Sequence, residues 1–83
     1  MKSVWYDDTF MRITVNGEAR EITEGQSVAS LLSELGIQDE RVAVELNLTI
    51  LKREYFKQTL LRDGDRVEVI GFIGGGRGLG YEG

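Results

Sequence analysis

Met11-Arg12-Ile13-Thr14-Val15-Asn16-Gly17-Glu18-Ala19-Arg20-Glu21-Ile22-Thr23 is the stretch whose reading decides the fold. Met11, Ile13 and Val15 alternate with Arg12 and Thr14, the period of two expected when one face of a strand is buried. Asn16-Gly17 then supplies the pair best suited to a two-residue hairpin loop, in which both central residues take positive φ. Glu18 to Thr23 returns as a second, more polar strand whose apolar members are Ala19 and Ile22. Their spacing interrupts the alternation and predicts a bulge or a loosely specified register.

Outward from this hairpin, Glu24-Gly25-Gln26 reads as a turn and Ser27 as a helix N-cap, its hydroxyl able to accept from an early helical N–H. Val28, Leu31, Leu32 and Leu35 fall on one helical face. Gly36 stands where a helix commonly ends in the left-handed conformation, and Ile37 is placed for the accompanying apolar contact. Val42, Val44 and Leu46 alternate with Ala43 and Glu45 as a third strand. Asn47 marks a turn, and Leu48 to Leu51 reads as a short edge strand. Tyr55, Phe56, Leu60 and Leu61 lie in a connection containing a single helical turn. Asp63-Gly64-Asp65 is a tight turn, and Arg66 to Phe72 is the last strand, with Val67, Val69 and Gly71 on one face.

The order strand, strand, helix, strand, short strand, strand describes an α+β domain: a mixed sheet of four to five strands with one main helix on one face. The last strand is expected inside the sheet beside the first, joined to it by a right-handed crossover. That layout is the β-grasp, or ubiquitin-like, arrangement. It occupies residues 11–73. Residues 1–10, with Asp7-Asp8 and scattered aromatics, read as an N-terminal extension. Residues 74–83 read as a tail, because seven of the thirteen residues from Gly71 to Gly83 are glycine, a composition that implies mobility.

Composition narrows the chemistry. The chain of 83 residues has no cysteine and no histidine, which removes thiolate nucleophiles, disulfides, the usual transition-metal ligands and the commonest general base. A self-contained enzyme is not expected. Fourteen acidic against ten basic residues leave a net charge of −4, opposite to what nucleic-acid binding requires. No apolar run is long enough to span a membrane, and the N-terminus lacks the apolar core of a signal peptide. A cytoplasmic protein, monomeric when free, is the expectation. Asp39-Glu40 and Asp63/Asp65 offer carboxylates for a hard cation, but Asp-Gly-Asp has ordinary turn chemistry, and no metal site is expected.

The run Phe72-Ile73-Gly74-Gly75-Gly76 is the main functional candidate. Glycines without Cβ can thread a narrow channel and carry a terminal carboxylate away from the domain. Phe72 and Ile73, with Tyr55 and more distantly Leu48 and Phe56, form a candidate docking surface. A plain linker and a protein-interaction module without carrier chemistry remain alternatives at this point.

Residues 11–76 resemble the ThiS family, the sulfur carriers of thiamin biosynthesis. The resemblance rests on Val15-Asn16-Gly17-Glu18, Val28-Ala29-Ser30-Leu31-Leu32, Val42-Ala43-Val44-Glu45-Leu46-Asn47, Arg53 and Tyr55. Asp63-Gly64-Asp65-Arg66-Val67-Glu68 and the closing Phe72-Ile73-Gly74-Gly75-Gly76 continue it in order. It implies that Gly76 bears an adenylate and then a thiocarboxylate, while Gly74 and Gly75 thread the partners' active sites. The implied partners are an adenylyltransferase of the ubiquitin E1 class, a cysteine desulfurase or related sulfur donor, and thiazole synthase. No cofactor is bound by the carrier; ATP and a persulfide are used by the partner enzymes. Molybdopterin or cysteine synthesis is an alternative destination for the sulfur. Family members usually end at the glycines, whereas here Arg77-Gly78-Leu79-Gly80-Tyr81-Glu82-Gly83 follows. Gly76 therefore carries a peptide carbonyl, so that either a peptidase removes residues 77–83 or the carrier role has been lost.

Overall fold

The computed structural model describes residues 10–71. Phe72, Ile73, the glycines 74–76, the segment 77–83 and residues 1–9 lie outside the described residues. The chain forms β1 (Phe10–Val15), β2 (Glu18–Thr23), α1 (Val28–Glu34), a 3-10 turn (Asp39–Arg41), β3 (Val42–Leu46), β4 (Thr49–Leu51), a second 3-10 turn (Arg53–Tyr55) and β5 (Arg66–Gly71). The sheet order is β2-β1-β5-β3-β4. β1 and β5 run parallel and the other pairs antiparallel, so the last strand sits at the centre beside the first, as its position in the sequence leads one to expect.

Local chemistry accounts for the element ends. Asn16 and Gly17 take φ of 51° and 85°, and β1 and β2 close on the two-residue loop with Val15 opposite Glu18. The Ser27 hydroxyl accepts from the Ser30 N–H at 3.0 Å, satisfying a donor that the first helical turn leaves open. At the other end Gly36 turns left-handed at φ 75°. Its N–H donates to the Ser33 carbonyl and the Ile37 N–H donates to Leu32, the paired bonds of a Schellman motif.

The bulge expected in β2 is absent. Six successive pairs, Phe10 with Thr23 through Val15 with Glu18, run in unbroken register. The alternation is intact because Arg20, not Ala19, takes the inward position between Glu18 and Ile22. Arg20 is half-buried while Ala19 is exposed. An arginine can do this because its methylene stem is apolar while its head reaches water. Phe10, placed in the extension by its sequence context, is the first residue of β1 and pairs with Thr23.

The core lies between α1 and one face of the sheet. Ile13, Ile22, Val42, Val44, Val67 and Val69 from the strands meet Val28, Leu31 and Leu32 from the helix, and Phe56 and Leu61 from the long connection close the far side. Phe56 is 2% exposed, so it belongs to the core and not to a docking surface. The opposite face of the sheet, carrying Ile70 and Ile50, faces outward.

Candidate functional site

The candidate site is the end of β5, from which the chain continues into Phe72 and the glycines. β5 is anchored at several points. Its register with β3 runs from Leu46 opposite Val67 to Val42 opposite Gly71. On its other side the ladder with β1 covers only Thr14–Arg66 and Val15–Val67, because β1 turns away at the hairpin. Asn16 prolongs that ladder from the loop. Its backbone N–H donates to the Val67 carbonyl at 2.8 Å, its Oδ1 accepts from the Val69 N–H at 2.7 Å, and its Nδ2 donates to the Val69 carbonyl at 3.4 Å.

The start of β5 is held with equal care. Asn47 in the β3–β4 loop accepts from the Arg66 N–H through Oδ1 at 2.9 Å and donates through Nδ2 to Asp65 Oδ1 at 3.0 Å. Asp65 Oδ2 accepts from the Arg62 N–H, and Asp63 Oδ1 accepts from the Arg12 N–H. These carboxylates are thus tied up in turn hydrogen bonds, and among the described residues no group of three or more acidic side chains is arranged to hold a metal ion. No helix among the described residues is long and apolar enough to cross a membrane.

Of the sequence-predicted site residues, Tyr55, Leu48 and Phe56 are described, and Phe56 is in the core. Tyr55 is 45% exposed, and its connection packs against the helix's N-terminal end, where Ala29 donates to the Phe56 carbonyl and Val28 to Thr59. The end of β5 lies toward the helix's C-terminal end, so the structure does not bring Tyr55 to the exit of the tail. Leu48 and Ile50 are exposed at the β4 edge, 69% and 61%.

Sequence reasoning missed a feature beside that exit. A cleft of about 770 Å³ opens between the β1–β2 loop, the C-terminal end of α1 and Val69 of β5. Val15, Leu35, Ile37 and Val69 form its apolar part, and Glu18, Arg20 and Arg41 bring charge of both signs to it. Arg41 directly precedes Val42, the residue paired with Gly71, so the cleft and the end of β5 are neighbours. The interrupted alternation in β2 was the available signal, since it arises from Arg20 occupying an inward position.

Comparison with known proteins is consistent along nearly the whole domain. The ThiS family model matches residues 13–76, ending on the third glycine of the run. The sulfur carrier protein ThiS of Escherichia coli is 33% identical over 66 residues, covering 80% of this chain and 100% of that protein. A thiazole synthase of Paramagnetospirillum magneticum is 42% identical over 66 residues, but the chain spans only 20% of that protein's length. The crystal structure of the thiamine biosynthesis protein ThiS from Geobacter metallireducens superposes with a TM-score of 0.70 at 46% identity. It covers 80% of this chain and 100% of that one.

Proposed function

The chain belongs to the ThiS family, and from that premise we propose that it is a sulfur carrier of thiamin biosynthesis whose working atom is the carbonyl carbon of Gly76. The observation that carries the reading is the extent of the family match, which runs through the β-grasp domain and stops at Gly76. The anchored β5 supports it, because it gives the chain that continues to Gly76 a fixed point of departure from the domain.

The chemistry proceeds in five steps. A peptidase hydrolyses the Gly76–Arg77 bond, giving Gly76 a free carboxylate. An E1-like adenylyltransferase then joins a carboxylate oxygen to the α-phosphate of ATP with loss of pyrophosphate. The outer sulfur of a persulfide, made by a cysteine desulfurase or related donor, attacks the acyl carbon and expels AMP. A partner thiol next attacks the inner sulfur, leaving the thiocarboxylate on Gly76 and a disulfide on the donor side. Thiazole synthase consumes that sulfur, and the thiazole synthase named among the relatives supports this destination. The carrier contributes no acid, base or cofactor of its own; it supplies recognition and reach.

Two chains test this, one of residues 1–83 and one ending at Gly76, each incubated with adenylyltransferase, ATP and a persulfide donor. Intact-mass analysis is expected to find one oxygen-to-sulfur exchange in the shortened chain and none in the longer one. An unmodified shortened chain would sink the reading and favour a protein-interaction module.

A further inference from the structure

We propose that the chain forms a two-fold dimer through the outward face of its sheet, with a second copy of itself as the partner. Alternation and register place Phe10 and Arg12 of β1, Glu68 and Ile70 of β5, Glu45 of β3 and Ile50 of β4 on this face. Three of them are large apolar side chains left open to water: Phe10 is 51%, Ile50 61% and Ile70 46% exposed. Glu45 and Glu68 stand directly opposite each other on adjacent interior strands. Like charges so placed destabilise a sheet. Both are half-buried, and neither forms an ion pair among the described residues. The sequence leads to the expectation of a free monomer; the register of the sheet leads to this different conclusion.

The face carries its own complement. β1 meets β5 only at Thr14–Arg66 and Val15–Val67, so Phe10 and Arg12 lie offset beyond the start of β5, diagonally across from Glu45 and Ile50. Arg12 pairs with Glu21 at 3.7 Å, an exposed contact worth little. Arg66, also on this face, has no ion pair among the described residues. A two-fold axis lying between two facing sheets carries Arg12 of one copy over Glu45 of the other. The same operation sets Phe10 over Ile50, and the symmetry makes each contact twice. Arg66, near the axis, then stands beside Glu68 of the opposite copy. Sheets packed face to face lie ~10 Å apart, a gap that interdigitated side chains fill. The net charge of −4 repels the copies at long range, so the close contacts of this face carry the association. On the carrier reading, the dimer hides the outward face of the strand that leads to Gly76, and dilution exposes it.

The test is the mass of the full chain in sedimentation equilibrium, from micromolar to millimolar concentration. No partner enzyme is present, so failure here leaves the carrier reading standing, and the reverse. The unaltered chain is expected to reach dimer mass reversibly. Arg12→Glu and Glu45→Arg each oppose like charges across the interface, and each is expected to weaken association about tenfold or more. Mixed in equal amounts, the two variants restore both opposite-charge contacts in a heterodimer, and dimer mass is expected to return. This rescue separates a broken interface from a broken fold, because mixing does not repair a chain that fails to fold. The proposal is overturned if the unaltered chain stays monomeric throughout, the outcome expected of a face covered by residues 1–9 or 72–83. It is equally overturned if both variants dimerise as the unaltered chain does, or if their mixture stays monomeric.

Discussion

The described residues contain two hairpins closed by two-residue loops, and the loops share their first residue but not their second. Asn16-Gly17 joins β1 to β2; Asn47-Leu48 joins β3 to β4. In both, the two loop residues have positive φ: 51° and 85° in the first, 53° and 72° in the second. In both, the asparagine turns inward to grip β5, Asn16 at Val67 and Val69, Asn47 at Arg66. The shared asparagine is explained by its tolerance of the left-handed region combined with an amide that can both donate and accept. The second residue tells them apart. Glycine occupies that conformation without strain, while a leucine there opposes its Cβ to the backbone at a cost of about 1–2 kcal/mol. Leu48 is also 69% exposed, so burial does not repay the strain locally. The lesson is that the β1–β2 loop is optimised for the fold, and the β3–β4 loop keeps its shape because strand pairing and Asn47 impose it.

The largest break in this comparison is expected at the asparagines. Asn16→Ala removes an acceptor at 2.7 Å and a donor at 3.4 Å from a part-buried strand edge and places alanine in a left-handed position. A loss of about 2–3 kcal/mol is expected, read as a lowered denaturation midpoint in urea at unchanged slope. Asn47→Ala likewise places alanine at positive φ, but its hydrogen bonds are exposed, so a smaller loss of about 1–2 kcal/mol is expected in the same measurement. Equal losses would mean that the two grips on β5 are not distinguished by burial.

Next in size is Gly17→Leu, which makes the first loop resemble the second. A side chain at Gly17 would meet nothing within 4 Å, so its cost is backbone strain alone, about 1–2 kcal/mol, or several degrees in thermal midpoint. The smallest effect is the reciprocal change. Leu48→Gly relieves the strain but adds freedom to the unfolded chain, and a net gain of about 0.5–1 kcal/mol is expected. A loss of stability on Leu48→Gly would show that the leucine makes a contact the strain argument leaves out.

Much of the fold was legible before any coordinates, and the reasons are local. The Asn16-Gly17 loop, the Ser27 cap, the Gly36 terminus and the period-two runs in β1, β3 and β5 each depend on neighbours a few residues away. Where the reading departed from the structure, a distant partner was responsible. β2 looked irregular because Arg20 was not counted as an inward residue. Leu48 was read as strand, yet the pairing of Leu46 with Thr49 forces it into the loop. Phe56 looked available for docking, yet the connection turns it into the core shared by α1 and the sheet.

The sequence by itself determined the element types, the caps, the absence of cysteine and histidine chemistry, and the glycine run with Gly76 at its end. These follow from backbone preferences and side-chain chemistry, which act at short range. Tertiary structure alone decided that two asparagines more than thirty residues apart clamp the same strand, that Arg20 and Arg41 border one cleft, and that this cleft adjoins the end of β5. Those facts arise from sheet order and register, which bring remote segments together and which no short window of residues specifies.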